Sequence, residues 1–256
     1  MKILVVGDVV GQVGVSHIEK TLWKLRNEKK IDFCVLNGEN ASEIGGLCRN
    51  DATRLLDAGA DVITLGNHTW GRRDLYDLLD QSECIIRPAN YALGVPGSGY
   101  TILNVLGYRV LCINLIGTVN MESEASPFHT ADKILNSEMG NYDLSIVDFH
   151  AEATSEKIAM GRYLDGRVSV VFGTHTHVQT ADEQILPKGT AYITDVGMSG
   201  PMDGILGVES EIIIKRFLTH MPARFIVASG DVKAHGAIID LDESTGLARK
   251  IERIVF

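Results

Sequence analysis

The chain has 256 residues, 45% of them hydrophobic, and a formal net charge of −9. This length supports one substantial core, so we expect a single domain over residues 1–256. The acidic balance opposes a binder of long nucleic acids or membrane surfaces, and no apolar run reaches the length of a membrane span. The four cysteines form no C-x-x-C pair and the start shows no signal-peptide layout, so a cytoplasmic protein is expected.

The first eighty residues alternate strand and helix patterns. Continuous apolar runs over residues 2–7, 31–36 and 61–65 are typical of strands buried on both faces. Apolar residues at three- and four-residue spacing mark the helices between and after them: Val15, Ile18, Leu22 and Leu25, then Ala52, Leu55 and Leu56, then Leu75, Leu78 and Leu79. This order predicts a parallel sheet with helices on its faces.

The middle of the chain begins with a predicted hairpin, whose strands over residues 100–106 and 109–115 flank the turn Gly107-Tyr108. Two helix and strand pairs are predicted next, in the order helix 131–139, strand 144–147, helix 155–164 and strand 168–172. The complete pattern predicts an α/β fold, a two-sheet α/β sandwich with flanking helices.

The last third predicts mostly strands, as short apolar runs near Ile185, Tyr192, Phe225, Ala237 and Ile251. The glycine-rich stretch 197–204 has no periodicity and is expected to be a loop. It could shape a substrate site or be an ordinary surface loop.

Residues that can bind a metal follow several predicted strands directly. They are Asp8, Glu39, Asn40, Asn67, His68, His150, His175 and His177. Because the carboxyl ends of parallel strands share one edge of a sheet, we expect these side chains along that edge. Each has an ordinary alternative, such as a helix cap, a turn residue or a buried hydrogen-bonded histidine, but their repeated placement favours a site.

The segment Gly173-Thr174-His175-Thr176-His177 is the most informative of these strand ends. In a continuing strand the two imidazoles would point to opposite faces, whereas on an irregular loop both can converge. Neutral imidazole is the commonest protein metal ligand, so the segment is interpreted as half of a metal site. Two polar loop histidines are the alternative.

The donor set contains carboxylates, amides and imidazoles but no thiolate. It disfavours structural zinc and suits manganese, iron or zinc in a catalytic role. The set is too large for one ion, while two ions about 3.5–4 Å apart could share a carboxylate and activate a water for in-line displacement. A pair of ions that activates water in this way is suited to the hydrolysis of a phosphate ester. His68, beside the ligand candidate Asn67, is better placed to face the leaving group as an acid, unless it is a turn residue.

Two other sites are excluded by spacing. The glycines after the first strand, between Gly7 and Gly14, match neither G-x-G-x-x-G nor a Walker A loop, and Asp8 lies where phosphate would bind. The G-x-S-x-G elbow of serine hydrolases is absent.

At these residues the chain resembles the calcineurin-like metallophosphoesterases. It carries their blocks in order: Gly7-Asp8, Gly38-Glu39-Asn40, Gly66-Asn67-His68, His150, and Gly173 to His177. Val10 stands where the family's first block has a histidine, Glu39 where it has an aspartate, and Thr174 lies inside the last block. These departures resemble the YmdB-type branch, and so does the whole chain to Asp195-Val196-Gly197-Met198.

The resemblance implies roles for the candidate residues. Asp8, Asn40 and His177 would hold one metal, Asn67, His150 and His175 the other, and Glu39 would bridge the two. It also implies a phosphodiesterase for 2′,3′- or 3′,5′-cyclic nucleotides, with iron or manganese expected ahead of zinc. The missing histidine at Val10 leaves the first site richer in oxygen.

Two other functions stay open. A phosphomonoesterase or nucleotidase could use the same metal core, and a regulator could bind a nucleotide through the metals with little turnover. The expected partner is a small anionic phosphodiester, with no long nucleic acid and no membrane; a homo-oligomer is compatible with the sequence.

Overall fold

The computed structural model describes residues 1–43 and 45–256. Its α-helices are α1 (Gly11–Lys29), α2 (Arg49–Asp57), α3 (Tyr76–Gln81), α4 (Pro127–Ser137), α5 (Thr154–Leu164) and α6 (Ser210–Thr219), and short 3₁₀ helices span Thr69–Gly71 and Arg73–Leu75. Its strands are β1 (Lys2–Val6), β2 (Asp8–Val9), β3 (Phe33–Asn37), β4 (Val62–Thr64), β5 (Ile85–Ile86), β6 (Tyr100–Val105), β7 (Tyr108–Ile116), β8 (Leu144–His150), β9 (Val170–Thr174), β10 (Gln184–Ile185), β11 (Ala191–Ile193), β12 (Met198–Pro201), β13 (Val232–Leu241) and β14 (Ala248–Val255).

The first sheet has the order β2-β12-β13-β1-β3-β4-β5, with β14 beside β13. Strands β1, β3, β4 and β5 are parallel, and β13 runs antiparallel to β1. Along β1, Ile3 and Val5 face the second sheet while Leu4 and Val6 join a core that includes α1 and α2 residues. Burial on both faces explains why the sequence shows a continuous apolar run instead of an alternating one.

The second sheet has the order β10-β11-β9-β8-β7-β6. Its central strands β7, β8, β9 and β11 are parallel, and β6 and β10 close its edges in antiparallel pairing. Cys112, Ile146 and Phe172 pack toward the first sheet, whereas Val147 and Phe149 pack with residues of α4 and α5. The predicted two-sheet α/β sandwich with flanking helices is confirmed.

The strand ends that carry the candidate ligands belong to two sheets, so the expectation of one shared edge was wrong. β1, β3 and β4 lie in the first sheet, and β8 and β9 lie in the second. The two sheets face each other across the inter-sheet core, and the loops at their carboxyl ends meet. Strand β8 also extends further than predicted, so His150 is its final residue and does not follow it.

The hairpin turn lies one residue earlier than predicted. Leu106 and Gly107 form it, with φ values of 54° and 90°, and Tyr108 already belongs to β7. Positive φ at both turn positions matches the twist of the flanking strands.

The last third contains two further differences. Residues 210–219 form α6, which the apolar pattern does not predict because Ile212, Ile213 and Ile214 are consecutive and only Ile213 is buried. The predicted run near Phe225 has no strand. Among the described residues, none of the helices combines the length and apolar character that a membrane crossing requires.

The glycine-rich stretch 197–204 is not the predicted loop throughout. Met198–Pro201 form the buried strand β12, which pairs with β2 and β13. A Cβ atom on Gly7 would lie 2.0 Å from the carbonyl oxygen of Gly197. This close backbone approach requires glycine and explains why the segment lacks an apolar periodicity.

Candidate metal centre

The structure brings all eight predicted residues together. Asp8 opens β2, Glu39 and Asn40 follow β3, and Asn67 and His68 follow β4, while His150, His175 and His177 come from the end of β8 and the segment after β9. The side chains of Asp8, Glu39 and His150 are at most 1% exposed. Such deep burial of two carboxylates and an imidazole has to be compensated by partners or by a cation.

One half of the centre surrounds Nε2 of His150. Asn67 Oδ1 lies 3.0 Å from this atom, His175 Nδ1 3.1 Å and Glu39 Oε1 3.2 Å. One ligand atom each of Glu39, His150 and His175 lies within 4.8 Å of the other two. This is the spacing of donor atoms around a single ion.

Hydrogen bonds to residues outside the cluster indicate which ring nitrogen of His150 and of His175 is free to bind a metal. His150 Nδ1 lies 2.9 Å from Thr174 Oγ1, whose hydroxyl donates to Asp148 Oδ1 at 2.7 Å. His175 Nε2 lies 3.1 Å from Glu152 Oε2. With protons on these outer nitrogens, the inner nitrogens carry lone pairs, as is usual for metal-binding histidines.

Four acceptor atoms then face one another without a proton between them: Glu39 Oε1, Asn67 Oδ1, His150 Nε2 and His175 Nδ1. Hydrogen bonds cannot satisfy such a set unless an imidazole takes up a second proton. A bound cation would satisfy all four. The residues present therefore fit a metal ion.

The other half of the centre surrounds Asp8. Its Oδ1 atom is buried and has no hydrogen-bond partner within residues 1–43 and 45–256, and it lies 3.8 Å from His177 Nε2. His177 Nδ1 lies 3.1 Å from the carbonyl oxygen of Leu206, which leaves Nε2 to face the centre. Asn40 Nδ2 lies 3.3 Å from the same Nε2. In this orientation Nδ2 also donates to Glu39 Oε1 at 3.0 Å. A 180° rotation of the amide would give up that bond and present the amide oxygen to the centre, as a metal ligand requires.

Burial and neighbouring charges shift the pKa values of these groups in opposite directions. Burial favours the neutral acid of Glu39, but the charges and hydrogen bonds of His150 and His68 hold its pKa well below the ordinary value. Burial would lower the pKa of His150, yet Glu39 and the other carboxylates raise it to about 9. Without a metal this ring therefore holds a second proton at neutral pH, and a bound cation would take the place of that proton. Burial, followed by the charge of His150, lowers the pKa of His175 to about 3, so this imidazole is neutral and free to bind.

His68 lies at the edge of this cluster. Its side chain is 43% exposed, against 1% for Glu39 beside it. Nδ1 of His68 lies 2.8 Å from Asn40 Oδ1, and its backbone N–H donates to Glu39 Oε2 at 3.0 Å. The ring is thus anchored through one nitrogen and open to solvent, which fits the predicted position facing a leaving group; its role stays a prediction.

A glycine and two residues with strained backbone allow the side chains of the centre to lie so close together. A Cβ atom on Gly66 would lie 2.3 Å from His150 Nε2 and 2.4 Å from Glu39 Oε2. His175 and His177 both have positive φ, at 96° and 64°, which is uncommon for residues other than glycine. The surrounding structure has to hold this loop conformation.

A buried ion pair helps to hold the conformation of the loop that carries His175 and His177. Lys157 on α5 is 2% exposed and its Nζ lies 2.7 Å from Asp195 Oδ2. The same carboxylate oxygen accepts from the backbone N–H of Thr176 at 3.1 Å and from its hydroxyl at 2.7 Å, and Oδ1 accepts from the N–H of Gly197 at 2.8 Å. Asp195 therefore ties the His175–His177 loop to the chain next to β12.

The supporting residues Glu152, Asp148, Lys157 and Asp195 were not among the predicted site residues. Asp148 and Asp195 follow apolar residues closely and could have been noticed beside His150 and Gly197. Lys157 gave no signal, because a lysine on a helix is ordinarily exposed.

A two-sheet sandwich with buried carboxylate, amide and imidazole groups at the carboxyl ends of its strands defines a metallophosphoesterase-like protein. The chain belongs to the YmdB-like protein family, whose model matches residues 4–254.

A named enzyme and two crystal structures are similar to this chain over nearly its whole length. The 2′,3′-cyclic-nucleotide 2′-phosphodiesterase of Bacillus subtilis (strain 168) is 49% identical, over 100% of this chain and 97% of its own. A crystal structure of a hypothetical protein from Thermus thermophilus matches with a TM-score of 0.94 and 41% identity, covering 100% of this chain and 99% of that one. A crystal structure described as a novel phosphatase of Mycoplasma pneumoniae matches with a TM-score of 0.94 and 34% identity, covering 100% and 93%.

Proposed function

We propose that the chain is a metal-dependent phosphodiesterase for small phosphodiesters, with 2′,3′- or 3′,5′-cyclic nucleotides as its substrates. The observation that carries this proposal is the set of four acceptor atoms formed by His150 Nε2 and its three neighbours, which a cation would satisfy. The 49% identical B. subtilis relative, named for 2′,3′-cyclic nucleotides, favours that substrate class over the 3′,5′-cyclic one.

Two cations fit the two halves of the centre. Asn67, His150 and His175 would hold one, Asp8, Asn40 and His177 the other, and Glu39 would serve both. The donors are oxygen and nitrogen atoms throughout, so we expect iron or manganese, with zinc less favoured. When bound, the ions would neutralise phosphate charge and lower the pKa of a water molecule to the neutral range.

His68 would assist the leaving oxygen. If the Asn40 amide turns its oxygen toward His177, its NH₂ group faces His68 Nδ1, now 2.8 Å from Asn40 Oδ1. Nδ1 would then accept a hydrogen bond and Nε2 would carry the proton. An exposed Nε2–H is where a departing alkoxide could be protonated.

The surroundings suit a small anionic substrate. Long nucleic acids bind through many Lys and Arg contacts, which a chain of net charge −9 does not favour. All four cysteines are free thiols, which agrees with the proposed cytoplasmic location.

The test is kcat/KM of the wild-type protein, loaded with Mn²⁺ or Fe²⁺, for 2′,3′- and 3′,5′-cyclic nucleotides, 5′-mononucleotides and single-stranded RNA. The proposal expects the cyclic nucleotides to be the best substrates. A preference for 5′-mononucleotides would establish a nucleotidase instead. Tight nucleotide binding with negligible turnover of every ester would establish a regulator.

A further inference from the structure

A cavity of about 780 Å³ opens beside the candidate metal centre. Asn67 and His175, both in the half of the centre around His150, line one end of it. A phosphodiester held at the metals would therefore extend its organic part into this cavity, which is large enough for a nucleoside.

Aromatic side chains form one wall of the cavity. Trp70 and Tyr91 line the cavity, with ring centroids 5.6 Å apart. Tyr76 is not a lining residue, but it packs edge-on against Trp70, also at 5.6 Å. The Tyr76 hydroxyl donates to the carbonyl oxygen of Trp70 at 2.9 Å, and the Tyr91 hydroxyl donates to that of Gly66 at 3.1 Å. The aromatic wall is thus fixed to the same loop that carries Asn67.

The segment 120–124 also lines this cavity, and it includes the exposed carboxylates Glu122 and Glu124. Both ends of this segment are anchored. Before it, the Glu156 carboxylate accepts from the N–H groups of Thr118 and Val119 at 2.9 and 3.3 Å. At its end, the Asn90 carbonyl oxygen accepts from the N–H of Glu124 at 3.2 Å. The backbone that carries these carboxylates is therefore held in place beside the cavity.

We propose that this cavity is a nucleobase subsite in which Trp70 stacks on the base and the Glu122–Glu124 wall accepts its N–H donors. The inference rests on the proposed function. Aromatic stacking accepts any base. An ionised carboxylate only accepts hydrogen bonds, so it favours bases that present N–H groups to it. Guanine offers adjacent ring and amino N–H groups to one carboxylate, while uracil presents carbonyl oxygens on both sides of its single N–H. Guanosine 2′,3′-cyclic phosphate should accordingly be a better substrate than the uridine compound.

The stacking part is tested with Trp70→Leu and Trp70→Phe on two substrates, guanosine 2′,3′-cyclic phosphate and glycerol 1,2-cyclic phosphate, which has no base. Loss of a stacking contact lowers binding by roughly tenfold or more, so Trp70→Leu should lose that factor in kcat/KM for the guanosine substrate only. Trp70→Phe should retain most of the activity, and metal content should not change. Equal losses on both substrates would overturn the stacking role.

A binding measurement provides a second readout. The chain has two tryptophans, and Trp23→Phe, at a 52% exposed position on α1, leaves Trp70 as the reporter. Guanosine 3′-monophosphate should quench the fluorescence of this variant. Unchanged fluorescence at nucleotide concentrations that inhibit turnover would overturn the proposal.

The selectivity part is tested with the double variant Glu122→Gln/Glu124→Gln. Its preference for guanosine over uridine 2′,3′-cyclic phosphate should fall at least fivefold, whereas the exposed control Glu28→Gln on α1 should keep it. An unchanged ratio would overturn the carboxylate role. Wild-type protein that hydrolyses neither glycerol nor nucleoside cyclic phosphates would refute the proposed function itself, while equal kcat/KM on both would refute only the subsite.

Discussion

Replacing Lys157 by methionine should destabilise the protein strongly, because it leaves the buried carboxylate of Asp195 without its cation. Lys157 Nζ lies 2.7 Å from Asp195 Oδ2, and both side chains are at most 2% exposed. Breaking a buried pair costs about 3–5 kcal/mol, and about 2–4 °C of Tm is lost per kcal/mol in a protein of this size, so Tm should fall by roughly 6–20 °C.

The assay is thermal unfolding in the presence of a chelator, so that metal binding does not contribute to Tm. Lys20→Met, at an exposed position on α1, is the matched control and should shift Tm by no more than about 2 °C, as surface substitutions do. The double variant Lys157→Met/Asp195→Asn removes both charges and should recover part of the loss. If Lys157→Met unfolds at the same temperature as Lys20→Met, the ion pair does not support the fold.

Three further substitutions probe the centre itself. Glu39→Gln should lower activity by roughly 10²-fold and reduce metal content, since a neutral amide cannot offset two cations; near wild-type turnover with full metal would contradict the bridging role. His68→Ala should keep the metals and lose about 10²–10⁴-fold in rate on unactivated esters, with a smaller loss on p-nitrophenyl esters; equal losses on both would exclude an acid. Glu152→Ala should weaken metal affinity by about 10–100-fold by releasing Nε2 of His175, and unchanged affinity would show that its 3.1 Å contact is incidental.

The sequence was sufficient to predict the fold because strands that are buried on both faces appear as continuous apolar runs. Continuous apolar runs such as residues 2–7 and 31–36 form strands covered on both sides, and the helices between them were correctly placed. The helix α6 was missed because it packs only through Ile213, so its apolar residues carry no helical period. The strand β12 was missed because close backbone contact at Gly7 and Gly197, and not side-chain burial, determines its composition.

The site was predictable to the extent that its residues follow strands. The eight residues at strand ends lie together in the structure, yet the residues that orient them come from elsewhere along the chain. Glu152 contacts His175 across 23 residues of sequence, and Lys157 reaches Asp195 from a helix. Such partners are defined by distance in space, and the local sequence around Lys157 contains nothing that distinguishes it from a solvated lysine.

We claim that the buried acceptor atoms of this centre hold two cations. The most direct measurement is elemental analysis of protein purified without chelator and then equilibrated with Mn²⁺ or Fe²⁺, beside the same analysis of Glu39→Gln. We expect two ions per wild-type chain and fewer in the variant, because Glu39 would serve both ions. A stoichiometry that stays at one ion per wild-type chain in excess metal would contradict the claim.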